Sequence, residues 1–293
     1  MKALNSIILS VLFATVAMVS CKKEKPLNLT TPPPGLGGDP VDIVNNPIDK
    51  WIYDSLTVPY NISVKYKFEP WEVAIDRTLI PPDTSKIIPQ LSAINNICWQ
   101  PYTDQTGSKT FVAKYSPKNF VLVGSWQYDY NGTITLGQAE GGSKISLFGL
   151  NFFSRLKKDS AIVKQGVHTI HHEFAHILHQ NVMYPADYKS ITGGYTATWF
   201  NTTDAAARKL GFITAYSMAG PDEDFVEMIA VLLTEGPGGY ATMLKDAGAA
   251  TSVGYLAIKA KEAKVVNYFK TIWGIDFYAL QTKTRAAFVG FLQ

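Results

Sequence analysis

The stretch "HTIHHEFAHILHQ", His168 to Gln180, contains all five histidines of the 293-residue chain. It closes a longer segment, "DSAIVKQGVHTIHHEFAHILHQ" (159–180), whose apolar residues recur at helical spacing. At about 100° per residue, Val163, Val167, Ile170, Phe174, Ile177 and Leu178 share one face, which predicts a stripe packed on the core. His168, His172, His176 and His179 fall within roughly 80° of one another on the other side. A helix with two such faces needs an apolar core on one side and a polar cleft on the other, so it constrains what the rest of the chain must build. Asp159 or Ser160 is placed to cap its first turn.

Within this helix His172-Glu173-Phe174-Ala175-His176 forms the HExxH pattern. Two histidines four apart project side by side and can bind one Zn²⁺, while Glu173 reaches a water on the metal. A catalytic zinc takes three protein ligands and leaves a fourth position open. His179 shares the face, but it stands about 10.5 Å along the axis from His172 at roughly 1.5 Å rise per residue. Three ligands strung along one straight helix fit a tetrahedral ion poorly, so lining the cleft or holding a ligand suits His179 and His168 better than coordination. His171 falls off the histidine face and has no assigned role.

A second source of ligands lies in "AYSMAGPDEDFVEMIAVLL" (215–233). Pro221 and the acidic Asp222, Glu223 and Asp224 suit the first turn of a helix, which accounts for Asp222 and Asp224. Glu227 is harder to explain in this way, being the one polar residue from Phe225 to Leu233. A buried carboxylate needs a partner. Glu223 lies one turn earlier on the same side, so one carboxylate can bind zinc while the other orients a ligating histidine.

The two ends and the composition set the context. "MKALNSIILSVLFATVAMVS" (1–20) reads as a signal peptide, with Lys2 ahead of an apolar run from Ile7 to Val19 that is too short to span a membrane. Its ending "MVSC" resembles a bacterial lipobox, which makes Cys21 the lipidated first residue of the mature chain. The other cysteine, Cys98 in "INNICWQ", lies among apolar residues and reads as a small buried hydrophobe. Residues 21–40 have the Pro/Gly-rich composition of a tether. A net charge of +3 without a basic block excludes a nucleic-acid partner on electrostatic grounds.

From 41 to 293 the pattern is that of one folded domain, and its class is α+β. "NISVKYKF" (61–68), "FVLVGSW" (120–126) and "GSKISLFGL" (142–150) predict strands, and "TSKIIPQLSAINNI" (84–97) a helix interrupted by Pro89. Helical patterns dominate beyond Gln180. This predicts a mixed α/β lobe at about 41–180 and a mainly helical lobe at 181–293, with the histidine helix between them.

At "HEFAH" and "EDFVE" the chain resembles the gluzincin metallopeptidases, which pair HExxH with a glutamate on a later helix. The catalytic domain of anthrax lethal factor is similar in three spacings: the HExxH block, a tyrosine seven residues before the ligand glutamate, and a glutamate-x-Phe-x-glutamate block. Across the whole chain, "HEFAHILHQ", "YNISVKY" and "EDFVEM" resemble a narrower group, zinc-binding metallopeptidase lipoproteins encoded beside TonB-dependent nutrient importers in Gram-negative bacteria. These resemblances imply a zincin-like fold with zinc on His172, His176 and Glu223. They also imply Glu173 as general base, Tyr216 near the developing oxyanion, and a peptide or protein substrate. "GSKISLFGL" resembles the edge strand along which gluzincins pair that substrate. The outer membrane is the implied location, with a TonB-dependent import complex as the implied partner. The alternative is an accessory binding lipoprotein of such a system that keeps the zinc site without cutting.

Overall fold

Among the described residues the last strand ends at Leu147, and every later element is helical. The computed structural model describes residues 46–74, 76–130, 132–140 and 143–292. The signal peptide, Cys21 and the tether lie outside these residues. Four strands form one sheet in the order β1 (Ser63–Lys65), β2 (Asn119–Leu122), β6 (Lys144–Leu147), β5 (Gly137–Glu140). The first three are parallel, with Phe120 paired to Val64 on one side and Ile145 on the other, and β5 is antiparallel to β6. A hairpin of β3 (Gln127–Tyr128) and β4 (Ile134–Thr135) stands beside the sheet.

The run "FVLV" is apolar throughout because β2 is covered on both faces. Phe120, Leu122, Ile145 and Leu147 enter the main core, whereas Val121, Val123 and Phe148 pack on the opposite face under Phe68, Val73 and Leu79. The strand expected over 61–68 shrinks to three residues, because Asn61 adopts a left-handed conformation (φ 55°) that closes the preceding helical segment. That segment begins with α1 (Pro47–Ile52).

The helix α2 (Thr84–Ala93) carries Pro89 in its interior and continues through a wide turn, Ile94–Trp99, into Gln100–Thr106. Asp83 caps it by accepting from the Ser85 N–H at 2.9 Å. Proline removes one donor of the ladder without ending it here, since the flanking residues are anchored in the core. Trp99 meets Phe174 edge-on at 5.3 Å, so this segment and α3 (Thr110–Tyr115) back the apolar face of the histidine helix. Cys98 is fully buried and burial pushes its thiol up, in keeping with an inert hydrophobe.

The histidine helix is α4 (Ser160–Asn181), and its predicted stripe from Val163 to Leu178 is buried. Its cap differs from expectation: neither Asp159 nor Ser160 supplies a side-chain cap, and Asp159 instead accepts from Ser154 Oγ at 2.7 Å. A 3₁₀ turn, Lys157–Asp159, feeds directly into the helix, so Asp159 lacks the extended backbone a capping side chain requires. After α5 (Asp204–Lys209) comes α6 (Pro221–Asp246), with Pro221 in its first turn. Gly236 (φ 65°) breaks α6 immediately before Pro237.

Helices α7 (Val253–Trp273) and α8 (Phe277–Phe291) complete the helical part, and one apolar cluster runs from Ile52 to Phe291. Asp224 stands in the first turn of α6 as expected, and it has a further role that its position alone does not give. It is fully buried and paired with the equally buried Lys261 of α7 at 2.6 Å, and it also accepts from Tyr195 Oη at 3.0 Å. No helix among the described residues is long and apolar enough to cross a membrane.

Candidate metal centre and its cleft

The helices α4 and α6 pack so that the first turn of α6 faces His172 and His176. Their Nε2 atoms lie 3.1 and 3.3 Å from the same oxygen, Glu223 Oε2. Two nitrogens and one carboxylate oxygen thus converge, all within 4.8 Å of one another. Burial would raise the Glu223 carboxyl, but hydrogen bonds from the two imidazoles outweigh it and hold the group well below the usual carboxylate range.

Behind this trio stands a second layer, which fixes which nitrogen of each ring is free. Glu227 Oε2 accepts from His172 Nδ1 and from His168 Nε2, each at 2.9 Å, and Glu227 Oε1 accepts from Thr214 Oγ1 at 3.0 Å. Burial alone would lower the His172 pKa, but Glu223 and Glu227 outweigh it and lift it to about 10. His176 Nδ1 lies 3.0 Å from His179 Nε2, so a neutral ring backs His176 where an anion backs His172. Burial and neighbouring His176 lower the His179 pKa to about 4. His168, His172 and Glu227 also form a group compact enough for a metal. Of that group only His172 lines the cleft, whereas His172, His176 and Glu223 all open onto it.

That cleft has a volume of about 600 Å³ and is lined by Glu173, Tyr216, Ile177 and the strand residues Gly137, Gln138 and Ala139. Glu173 is 8% exposed and accepts from the Ala139 N–H; burial raises its carboxyl above the ordinary value. Tyr216 is 36% exposed, with its ring 5.7 Å from that of His172 and braced edge-on by Trp199 at 4.9 Å. Burial and the Glu223 carboxylate hold its phenol well above the usual range. The strand beside the cleft is β5, not the one expected: β6, within "GSKISLFGL", is interior, paired on both sides. Gly137 lets β5 approach α4 this closely, since a Cβ there would lie 2.3 Å from Thr169 Cγ2.

Residues 41–278 match the model of a family described as "Putative zinc-binding metallo-peptidase". The chain belongs to this family. A crystal structure titled as that of a "putative zinc-binding metallo-peptidase from Bacteroides caccae ATCC 43185" is similar at a TM-score of 0.71 and 30% sequence identity, covering 87% of this chain and 95% of that one. No curated protein matches the chain. The family is a zinc-binding one, so Zn²⁺ is the cofactor. The residues present fit it: two imidazole nitrogens and a carboxylate oxygen meet at one point beside an open cleft, the donor set that zinc takes.

For a member of this zinc-binding family, two buried features escaped sequence reasoning. The Asp224–Lys261 pair fixes the residue next to Glu223, and only the unusual burial of a lysine on an amphipathic helix could have signalled it. His171 is fully buried beside Tyr102, with no hydrogen-bond partner at either nitrogen. Burial, and then His168, lower its pKa to about 3. The unfolded chain therefore takes up this proton first as pH falls, and stability drops from about pH 6.5 downward by about 1.4 kcal/mol per unit. Relative to a His171→Leu variant, the parent loses about 2 kcal/mol between pH 6.5 and pH 5. Urea titrations of both proteins across that window check it, and a pH-independent difference would contradict a neutral buried His171.

Proposed function

We propose that the chain is a zinc-dependent peptidase of the gluzincin type, with His172, His176 and Glu223 as ligands in a zincin-like fold. The observation that carries this reading is the meeting of those three donor atoms at one end of a cleft that also holds Glu173, Tyr216 and the outer edge of β5. In this fold the α/β part up to the histidine helix supplies β5, and the helical part supplies Glu223 and Tyr216. The bound ion supplies Lewis-acid polarisation of the scissile carbonyl and acidifies water.

The remaining chemistry belongs to side chains. With Nε2 of His172 and His176 turned to the ion, Nδ1 carries the proton in each ring and donates to Glu227 and His179 respectively. Glu173 takes the proton of the attacking water and passes it to the leaving amine, with its carboxylate steadied by the Ala139 N–H. Tyr216 offers its O–H to the oxygen that becomes negative only during reaction. An extended peptide laid along the free edge of β5 would present its carbonyl to this corner. The resemblance further supports a lipid anchor on Cys21 at the outer membrane and association with a TonB-dependent import complex.

Purified protein should contain about one zinc per chain. Glu223→Ala lowers that occupancy more than His179→Ala does, because one removes a ligand and the other a neutral partner of a ligand. Metal analysis after dialysis reads this directly, and the reverse order would overturn the ligand assignment. Digestion of an unbiased peptide library, with and without a chelator, tests the activity itself.

A further inference from the structure

The metal centre occupies only part of the cleft, and the rest of the wall has its own chemistry. Asp76, Arg77, Gln127 and Asp129 line the same cavity, yet the proposed mechanism uses none of them. The hairpin β3–β4 brings Gln127 and Asp129 to the loop residues Asp76 and Arg77, fifty or more positions away in sequence.

Arg77 is committed to the protein itself. Its guanidinium is 18% exposed, donates from Nη1 to the Tyr128 carbonyl at 2.9 Å and from Nη2 to Asp129 Oδ1 at 3.4 Å, and lies over the Tyr130 ring at 4.1 Å. Its Nε stands 3.6 Å from Asp76 Oδ2. The two carboxylates are less fully committed. Asp76 is 54% exposed and accepts from Tyr130 Oη at 2.9 Å, and Asp129 accepts from Thr135 Oγ1 at 2.6 Å. Beside them Gln127 is 5% exposed, and its Oε1 has no hydrogen-bond partner. Two carboxylates against one guanidinium leave this wall one negative charge in excess, with an amide oxygen lacking a donor.

We infer that this wall is a subsite for a lysine or arginine side chain of the peptide substrate, an inference that rests on the peptidase reading of the site. The alternatives fail on the same inventory. A substrate carboxylate would meet two like charges and a guanidinium already paired with both of them. An apolar side chain would displace water from the carboxylates without replacing its hydrogen bonds. An ammonium, with three donors, or a guanidinium, with five, supplies both the opposite charge and donors for the partly exposed carboxylate oxygens. Among the described residues these carboxylates do not gather with a third ligand group into a metal-binding cluster, which separates this wall from the zinc site.

The test uses the zinc-loaded full chain carrying Glu173→Gln, so that binding is read without turnover. Two fluorescent decapeptide pools, identical except that one contains a single lysine where the other has norleucine, are titrated by anisotropy. The lysine pool binds about 10-fold tighter. Adding Asp76→Asn and Asp129→Asn brings that ratio to about 1, and the half-exposed Asp76→Asn alone reduces it with little risk to folding. A ratio of 1 in the starting protein, or a ratio the added substitutions leave unchanged, overturns the inference. Cleavage of both pools by the protein with intact Glu173, without a lysine preference, would leave the peptidase reading standing and sink the subsite. A lysine preference in binding with no cleavage of either pool would do the opposite.

Discussion

Replacing Glu173 by glutamine is expected to leave zinc bound and to lower kcat on a peptide substrate by about 10²- to 10⁴-fold, the range that general acid–base catalysis supplies. The carboxyl lies outside the group formed by His172, His176 and Glu223, so metal content should not change. Glutamine has the same length and keeps an acceptor for the Ala139 N–H, so the local fold is preserved. What it cannot do is take a proton from water. Burial raises the Glu173 carboxyl toward the range in which a base works best near neutral pH, and the amide removes that capacity entirely. Zinc analysis and steady-state kinetics on the same preparation check both halves. Activity within a few-fold of the parent would mean that another group activates the water.

The sequence made some of this centre readable and hid the rest for identifiable reasons. The two faces of α4 followed from periodicity, because a helix this long repeats its pattern many times. Glu227 stood out as a charge in an apolar run, and its partners are His172, which the same reasoning made a ligand, and His168, which it placed beside the ligands. The edge strand β5 was missed because "GQAE" has no β-branched or aromatic residue; its position follows from pairing with β6 and from Gly137 against Thr169. Asp224 was read only as a first-turn acid, and its ion pair stayed hidden because its partner, Lys261, sits on another helix. The Asp76, Arg77 and Asp129 wall is joined by contacts that no local pattern records.

Zinc affinity should depend on Glu227 nearly as much as on a direct ligand. This buried carboxylate accepts from His168, His172 and Thr214 at once, while burial, which would raise its pKa, is outweighed by His168 and then His172, holding it well below the usual range. Glu227→Gln keeps the shape but loses the charge and turns an NH₂ group toward donors. The Kd for zinc is expected to weaken by about 10- to 100-fold, the usual consequence of removing the partner of a ligating histidine. Glu227→Leu goes further, leaving both His168 Nε2 and His172 Nδ1 without an acceptor, and should also cost about 3–5 kcal/mol of stability. Glu235→Gln on the same helix serves as a control. Its ion pair with Lys164 is partly exposed, and its loss should change stability by less than about 1 kcal/mol. Competition against a calibrated chelator, with urea titration of each variant, separates the two effects. If Glu227→Gln binds zinc as tightly as the parent, orientation of His172 does not come from Glu227, and the packing around the ring must hold it instead.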